Sequence, residues 1–418
     1  MAAVRSRLHK SLLRICGHFR HKHGHISVTG ASYHFDAFLG VGQVLFHIPK
    51  NQYHVLHRHQ QSCCAADVQR SSPGHTTALH PNRPSSNRPQ HDKIVHNPYK
   101  LVEEELGTLS QDIKREIVTD SSELAEIAGY YFDGKGKAFR PMIVLLMARA
   151  CNIHNDAGNC VLPAQKKIAM ITEMIHTASL VHDDVIDAAD TRRNKSSINL
   201  VWGQKKAILA GDYILSIASM ALARLRNEQV VSILSQVIED LVRGEFMQLG
   251  SKEEENERFA HYLKKTFKKT ASLLANSCKA VAVLGRCTED ITEVAYQYGR
   301  NIGIAFQLID DLLDFVSCDQ VMGKPTAADL KLGLATAPVL FAAQSYPELN
   351  AMIMRRFTHE GDVETARDMV AKSDGVEQTR LLAEQHSLEA IRQLRHLAKS
   401  EIQSSLSHIA EILLKRTK

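Results

Sequence analysis

Two acidic runs in this sequence have the composition of a metal site: Asp183-Asp184-Val-Ile-Asp187 and Asp310-Asp311-Leu-Leu-Asp314. In a helix, residues four apart are separated by about 6 Å along one face, so Asp183 and Asp187 stack. Gln307, Asp311 and Asp314 likewise share a face, with Asp310 beside it. Carboxylates stacked in this way repel one another, and apolar flanks raise their pKa values unless a cation neutralises them. Several hard oxygens without a thiolate suit Mg²⁺, which keeps part of its coordination sphere for substrate phosphate. One such cluster reads equally well as a solvated acidic helix face. Two clusters of identical spacing, each in an apolar run near the C-terminal part of a long helix, call for function. Helix C-termini are the wrong end for negative charge.

A metal-held diphosphate needs further cations, and these stand nearby in the sequence. His176 lies seven residues before Asp183 on the same stripe, and Arg192-Arg193 follows Asp187 beyond the expected helix end. Gly134-Lys-Gly-Lys137-Ala-Phe-Arg140-Pro141 is a flexible glycine pair leading into a helix start, which suits a phosphate oxygen. Lys264, Lys265, Lys268, Lys269 and Thr270 form a basic helical stretch, and Lys324 lies in the Gly323-Lys-Pro-Thr loop. Arg offers bidentate forks to phosphate and Lys a point charge. Singly, each has a plainer reading as a helix-end pair or a solvated face. Their joint presence beside two acidic motifs carries the weight.

The elements that must position these residues are helices. Apolar residues recur at spacings of three and four over 121–131, 139–153, 164–187, 205–225, 228–249, 257–285 and 289–316. Beyond residue 98 only Pro141, Pro163, Pro325, Pro338 and Pro347 occur, the first two at plausible helix starts. Period-two alternation is nearly absent. The pattern predicts one all-α domain over residues 99–418, with central helices apolar nearly all round. No apolar run reaches membrane-spanning length.

Residues 1–98 are of another kind. Residues 1–91 hold eleven Lys/Arg against two acids, so the net charge of +5 belongs to this leader and argues for no nucleic-acid partner of the body. Val4, Leu8, Leu12, Ile15 and Phe19 fall on one helical face with basic residues elsewhere, the pattern of a mitochondrial import signal. Residues 60–98, rich in Ser, Pro, Asn, His and Arg, read as a linker. Fourteen of the 22 histidines precede residue 97 without paired ligand spacing, so they predict no metal site. The eight cysteines form no Cys-x-x-Cys pair and read as reduced thiols of a non-secreted protein.

With these residues laid out, the chain resembles the trans-polyprenyl diphosphate synthases over essentially residues 99–418. The resemblance rests on GKGKAFRP at 134–141, EMIHTASLVHDDVID at 173–187, RR at 192–193, KT at 269–270, GIAFQLIDDLLDF at 303–315 and GKPTAADLKLG at 323–333. It implies an isoprenoid-synthase-type helical bundle around a central cavity, preceded by a disordered leader, and a Mg²⁺-dependent prenyl transfer. Asp183, Asp187 and Asp310 would bind the ions that grip an allylic diphosphate such as farnesyl or geranylgeranyl diphosphate, supported by Asp184, Asp311 and Asp314. Arg192, Lys269, Thr270, Gln307 and Lys324 would meet that diphosphate. Lys137, Arg140, His176 and Arg193 would hold isopentenyl diphosphate. Ala138 and Asn194 depart from the family pattern, where Arg and Gly often stand.

The family gates product length at the fourth and fifth residues before the first motif. Here these are Ser179 and Ala178, small residues that leave room for a long chain, although tight helix packing uses them as readily. The resemblance therefore points to a long-chain product for a quinone side chain in mitochondria. A short-chain, geranylgeranyl-type synthase and a non-catalytic subunit of a hetero-oligomer are the competing readings, with a terpene cyclase weaker still. A second homologous subunit and a peripheral association with the inner membrane are the expected partners.

Overall fold

The computed structural model of the chain describes residues 97–134, 136–250, 255–316 and 327–416. The expected targeting segment and all but the end of the linker, together with Lys324, lie outside the described residues. The framework is helical: α1 (Glu103–Glu116), α2 (Ser122–Gly129), α3 (Phe139–His154), α4 (Pro163–Ile186), α5 (Gln204–Ala223) and α6 (Glu228–Gly250) come first. They are followed by α7 (Arg258–Thr266), α8 (Ser272–Leu284), α9 (Glu289–Val316), α10 (Ala337–Ala342), α11 (Asp362–Lys372), α12 (Gly375–Leu394) and α13 (Glu401–Leu414). Among the described residues the only strands are β1 (Thr191–Arg192) and β2 (Lys195–Ser196), a two-residue hairpin pair.

Local signals start these helices where side chains can satisfy the first amides. Ser121 Oγ accepts from Leu124 N at 3.3 Å and Ser400 Oγ from Gln403 N at 3.1 Å, capping α2 and α13. Pro163 opens α4, where its missing amide costs nothing. Gln165 then accepts from Leu162 N at 2.9 Å and donates to Asn152 Oδ1 and Val281 O, tying the start of α4 to α3 and α8.

The stretch 257–285, which reads as one helix, is divided. A five-residue π-turn, Phe267–Ala271, separates α7 from α8. No Gly or Pro between residues 257 and 284 forecasts it, and the neighbours supply the reason. A Cβ on Gly244 of α6 would lie 2.7 Å from Lys269 Cγ, and one on Gly303 of α9 would lie 2.5 Å from Ala271 Cα. Two glycines therefore admit the wider turn between α6 and α9.

The main core is built on α3, α4, α8 and α9, with Ile168, Ile171, Met174 and Ile175 of α4 fully enclosed. Gly299 brings α9 onto α8, since its Cβ would meet Leu274 O at 2.7 Å. The C-terminal helices belong to the same bundle: Tyr298 of α9 donates to Leu406 O of α13 at 2.9 Å. Helix α5 is long and apolar enough to cross a membrane by composition, contrary to the reading from the sequence. Its Ala207, Ala210, Ile214, Ile217 and Ala221 are nonetheless buried within the bundle.

Candidate active site

The C-terminal end of α4 carries the first acidic motif, and its three aspartates face different partners. Asp184 is buried and accepts from Arg192 Nε at 2.8 Å and Nη2 at 2.5 Å, with Tyr131 Oη donating to its other oxygen at 3.4 Å. Arg192 is thereby tied to Asp184 rather than extended toward a ligand. Asp183 and Asp187 have no such clamp. Burial pushes the Asp183 carboxyl up to about 6, with Glu245 and Asp187 adding to the rise and Lys269 opposing it. Burial also raises Asp187, again aided by Glu245 and opposed by Lys269 and Arg192.

In the second motif, on α9, all three aspartates have protein partners. Asp311 is buried and accepts from Tyr262 Oη at 2.5 Å and Gln307 Nε2 at 2.8 Å. Asp314 accepts the backbone amides of Ala328 and Asp329 at 3.0 and 3.2 Å, the first amides of the short helix Ala328–Lys331. Asp310 pairs with Arg416 from the end of the chain at 2.6 Å, and the same guanidinium lies over the Phe306 ring, 4.7 Å from its centroid. Burial raises Asp310 to about 6, against the pull of Arg416. Asp329 packs among these carboxyls, and burial together with Asp311, Asp314 and Asp310 raises it to about 7.

The π-turn joins the two motifs. Lys269 Nζ is 2.5 Å from Glu245 Oε2 and 3.2 Å from Gln248 Oε1, both on α6, and its charge acts on Asp183 and Asp187. The next residue, Thr270, donates to Gln307 Oε1 at 2.9 Å, and Gln307 in turn holds Asp311. Lys265 lies in the field of Asp311 and Asp329, and burial lowers its pKa. Lys264, by contrast, is exposed.

A second basic group forms where α3 begins. Arg140 Nη1 donates to His176 Nε2 at 3.0 Å. Burial and the nearby guanidinium groups hold His176 well below the usual imidazole range, so the ring is neutral. Arg193 sits at the tip of the β1–β2 hairpin and reaches Glu173 at 3.3 Å. Arg193 and Asn194 both have positive φ, +52° and +60°, as a tight two-residue hairpin turn requires. Asn tolerates that conformation better than most side chains, so Asn194 in place of Gly is accommodated. Ala138 also has positive φ, +44°, at the entry to α3. Lys137 is exposed and lines, with Arg193, Glu173, Phe132 and Ser110, a cavity of about 440 Å³.

Ser179 is half-buried one turn below Asp183 and donates to His176 O at 2.9 Å, whereas Ala178 is fully enclosed in the core.

Among the described residues no group of three or more His, Cys, Asp or Glu side chains is close enough to hold a metal ion unaided. The donor set nonetheless fits a hard divalent cation. Asp183, Asp187 and Asp310 are carboxylates kept at raised pKa by burial, and a cation relieves that cost. Asp184, Asp311 and Asp314 are engaged with protein donors, and Asp310 with Arg416. Sequence reasoning missed Glu245, Gln248, Tyr262, Asp329 and Arg416. Tyr262 and Asp329 stand in mixed, partly charged stretches, and neither they nor Arg416 had a local signal.

A family model described as polyprenyl synthetase matches residues 121–370. The chain is 60% identical over 363 residues to an all trans-polyprenyl-diphosphate synthase of Homo sapiens, covering 87% of this chain and 86% of that protein. It is 44% identical over 347 residues to decaprenyl-diphosphate synthase subunit 1 of Schizosaccharomyces pombe, covering 77% and 92%. Its fold is similar to a polyprenyl synthase from Caulobacter crescentus CB15 complexed with calcium and isoprenyl diphosphate. That structure has a TM-score of 0.69 and 28% identity, and the match covers 77% of this chain and 97% of the other.

Proposed function

Because the chain belongs to the polyprenyl synthetase family, we propose that Asp183, Asp187 and Asp310 hold Mg²⁺ and an allylic diphosphate onto which isopentenyl diphosphate is repeatedly condensed. The protein is a prenyltransferase that makes a long-chain all-trans polyprenyl diphosphate for the ubiquinone side chain. It is mitochondrial, in keeping with its basic, acid-poor leader. The observation that carries the site assignment is the π-turn, whose Lys269 faces the first acidic motif while Thr270 is bonded through Gln307 to the second.

When bound, Mg²⁺ supplies electrostatic stabilisation to the charge that develops on the departing diphosphate. Lys269 exchanges Glu245 and Gln248 for diphosphate oxygens and adds charge at the same place. Arg192 keeps Asp184 neutralised and sits beside them, and Lys324, which lies outside the described residues, is assigned to the set by the family motif at 323–333 alone. Lys137, Arg140 and Arg193 bind isopentenyl diphosphate, and neutral His176 orients the Arg140 guanidinium by accepting a hydrogen bond from its Nη1. The allylic C–O bond breaks, the isopentenyl double bond attacks the allylic carbon, and the released diphosphate takes the proton lost from the new chain. Holding both substrates in line supplies much of the rate, and the apolar helix faces around them exclude water from the cation.

The small side chains of Ser179 and Ala178 before the first motif, with Ser179 half-buried below Asp183, favour a nonaprenyl or decaprenyl product over a geranylgeranyl one. The retained Asp183, Asp187, Asp310 and Lys269 argue against a purely non-catalytic subunit. The subunit designation of the Schizosaccharomyces pombe relative supports a second, homologous subunit as partner. So apolar a product supports peripheral association with the inner membrane.

The test is to incubate the purified protein, with and without a candidate homologous subunit, with farnesyl diphosphate, labelled isopentenyl diphosphate and Mg²⁺, and to size the products. Long-chain products that vanish with chelator are expected. Geranylgeranyl-length products would favour the short-chain reading, and no elongation in any combination would favour a non-catalytic subunit.

A further inference from the structure

Helix α6 presents a stripe to the π-turn that the reaction as described does not use. Asp240, Gly244 and Gln248 are spaced by four, so they share one face of α6. Gln248 meets Lys269, and Gly244 admits the turn itself, since its Cβ would lie 2.7 Å from Lys269 Cγ and 3.1 Å from Lys269 N. Asp240 is buried, 4% exposed, and binds the other lysine of the turn: Lys268 Nζ is 2.5 Å from Oδ1. Ser272 donates to its Oδ2 at 2.6 Å, and Gln236 approaches Oδ1 at 3.4 Å. On the opposite side Gly303 lets α9 close on Ala271.

A buried ion pair of this kind contributes little net stability, because desolvation offsets its attraction, and its best-attested use is to fix register. Register matters here because consecutive residues of the turn serve different partners. Lys268 points to Asp240, Lys269 to Glu245 and the first acidic motif, and Thr270 to Gln307 and the second motif. Single π-turns inside helices are frequent at functional sites.

We propose that Asp240 is a positioning residue: by anchoring Lys268 it fixes the π-turn Phe267–Ala271 so that Lys269 is presented to the allylic diphosphate. The proposal rests on the reading of Lys269 as an allylic-diphosphate ligand. It predicts a selective effect, because Asp240 touches neither Arg140, His176 nor Arg193.

The experiment compares the full chain, with its partner subunit where elongation requires one, as wild type, Asp240→Asn, Lys268→Arg, the doubly neutral Asp240→Asn/Lys268→Met, and Lys269→Ala. Steady-state KM for farnesyl diphosphate and for isopentenyl diphosphate is measured for each, with thermal midpoints. Binding of Mg²⁺–pyrophosphate by calorimetry gives a readout independent of turnover. Losing one charge-assisted contact corresponds to about a tenfold weakening. Asp240→Asn and the doubly neutral variant should both raise the farnesyl diphosphate KM by that factor and weaken pyrophosphate binding alike, with the isopentenyl diphosphate KM little changed. Lys268→Arg, which keeps the ion pair, should stay near wild type.

The doubly neutral variant leaves no unpaired buried charge, so it folds even if Asp240→Asn does not. A wild-type farnesyl diphosphate KM in that variant, or equal rises for both substrates, would overturn the positioning role while Lys269→Ala still showed its own defect. A wild-type KM in Lys269→Ala would instead remove the reading of Lys269 itself, and the proposal with it.

Discussion

Replacing Asp183 by asparagine should stabilise the metal-free protein while abolishing its chemistry. Burial raises this carboxyl from 3.8 to about 6, and no hydrogen bond among the described residues offsets its desolvation. A folded-state pKa raised above the unfolded one favours folding below the unfolded value, and that contribution is lost as pH rises through the folded value. Above about pH 6 the ionised group therefore costs the fold roughly 3 kcal/mol, from two pH units at about 1.4 kcal/mol each. An asparagine of the same shape removes the charge but keeps a polar group that needs partners, so the expected gain is ~1–3 kcal/mol. Urea denaturation in chelator at pH 8 and pH 4 reads it directly. The variant should be the more stable at pH 8, and most of its advantage should fade by pH 4, where wild-type Asp183 is protonated in the fold and the unfolded chain is close to its own pKa. Adding Mg²⁺ with pyrophosphate should stabilise the wild type and do little for the variant. A variant no more stable than wild type at pH 8 without metal, or an advantage unchanged between the two pH values, would refute the assignment of Asp183 as a strained ligand.

The remaining predictions concern other parts of the site. Ser179→Phe should shorten the products seen on chromatography at small cost in stability, because Ser179 is only half-buried. Ala178→Phe should shorten them too, while overpacking an enclosed position lowers stability by about 1–3 kcal/mol. Arg416→Met removes the cation that lowers Asp310, so the acid limb of the pH–rate profile should move to higher pH. Arg140→Met should raise the KM for isopentenyl diphosphate by tenfold or so, the loss of one charge-assisted contact, and leave that for farnesyl diphosphate little changed.

Much of this architecture is legible in the sequence, for local reasons. The helices that carry the acidic motifs, α4 and α9, follow from apolar spacing, and α3 starts at Phe139, as the glycine pair and Pro141 suggest. Stacking alone placed Asp183 and Asp187 on one face, but it could not divide labour within each motif. That Asp184 pairs with Arg192 depends on how the β1–β2 hairpin folds back, and that Asp311 accepts from Tyr262 depends on α7 lying opposite; only Gln307, four residues before Asp311 on the same helix, was within reach of spacing. The π-turn at Phe267–Ala271 is likewise tertiary, since the glycines that admit it lie on α6 and α9. Arg416 stands more than a hundred residues from Asp310, and nothing in the sequence near either residue links them. The C-terminal segment, helical by pattern but without assigned chemistry, acquires a role only once α13 packs on α9 and delivers that arginine.

A crystal structure of the protein with Mg²⁺ and a non-hydrolysable thio-analogue of farnesyl diphosphate would decide whether the two acidic motifs form one diphosphate site. The expected density has ions ligated by Asp183, Asp187 and Asp310, with Lys269 moved from Glu245 to a diphosphate oxygen and the prenyl chain passing Ser179. Density for the diphosphate at Lys137, Arg140 and Arg193 alone, with the acidic motifs free of metal and Lys269 still on Glu245, would contradict it.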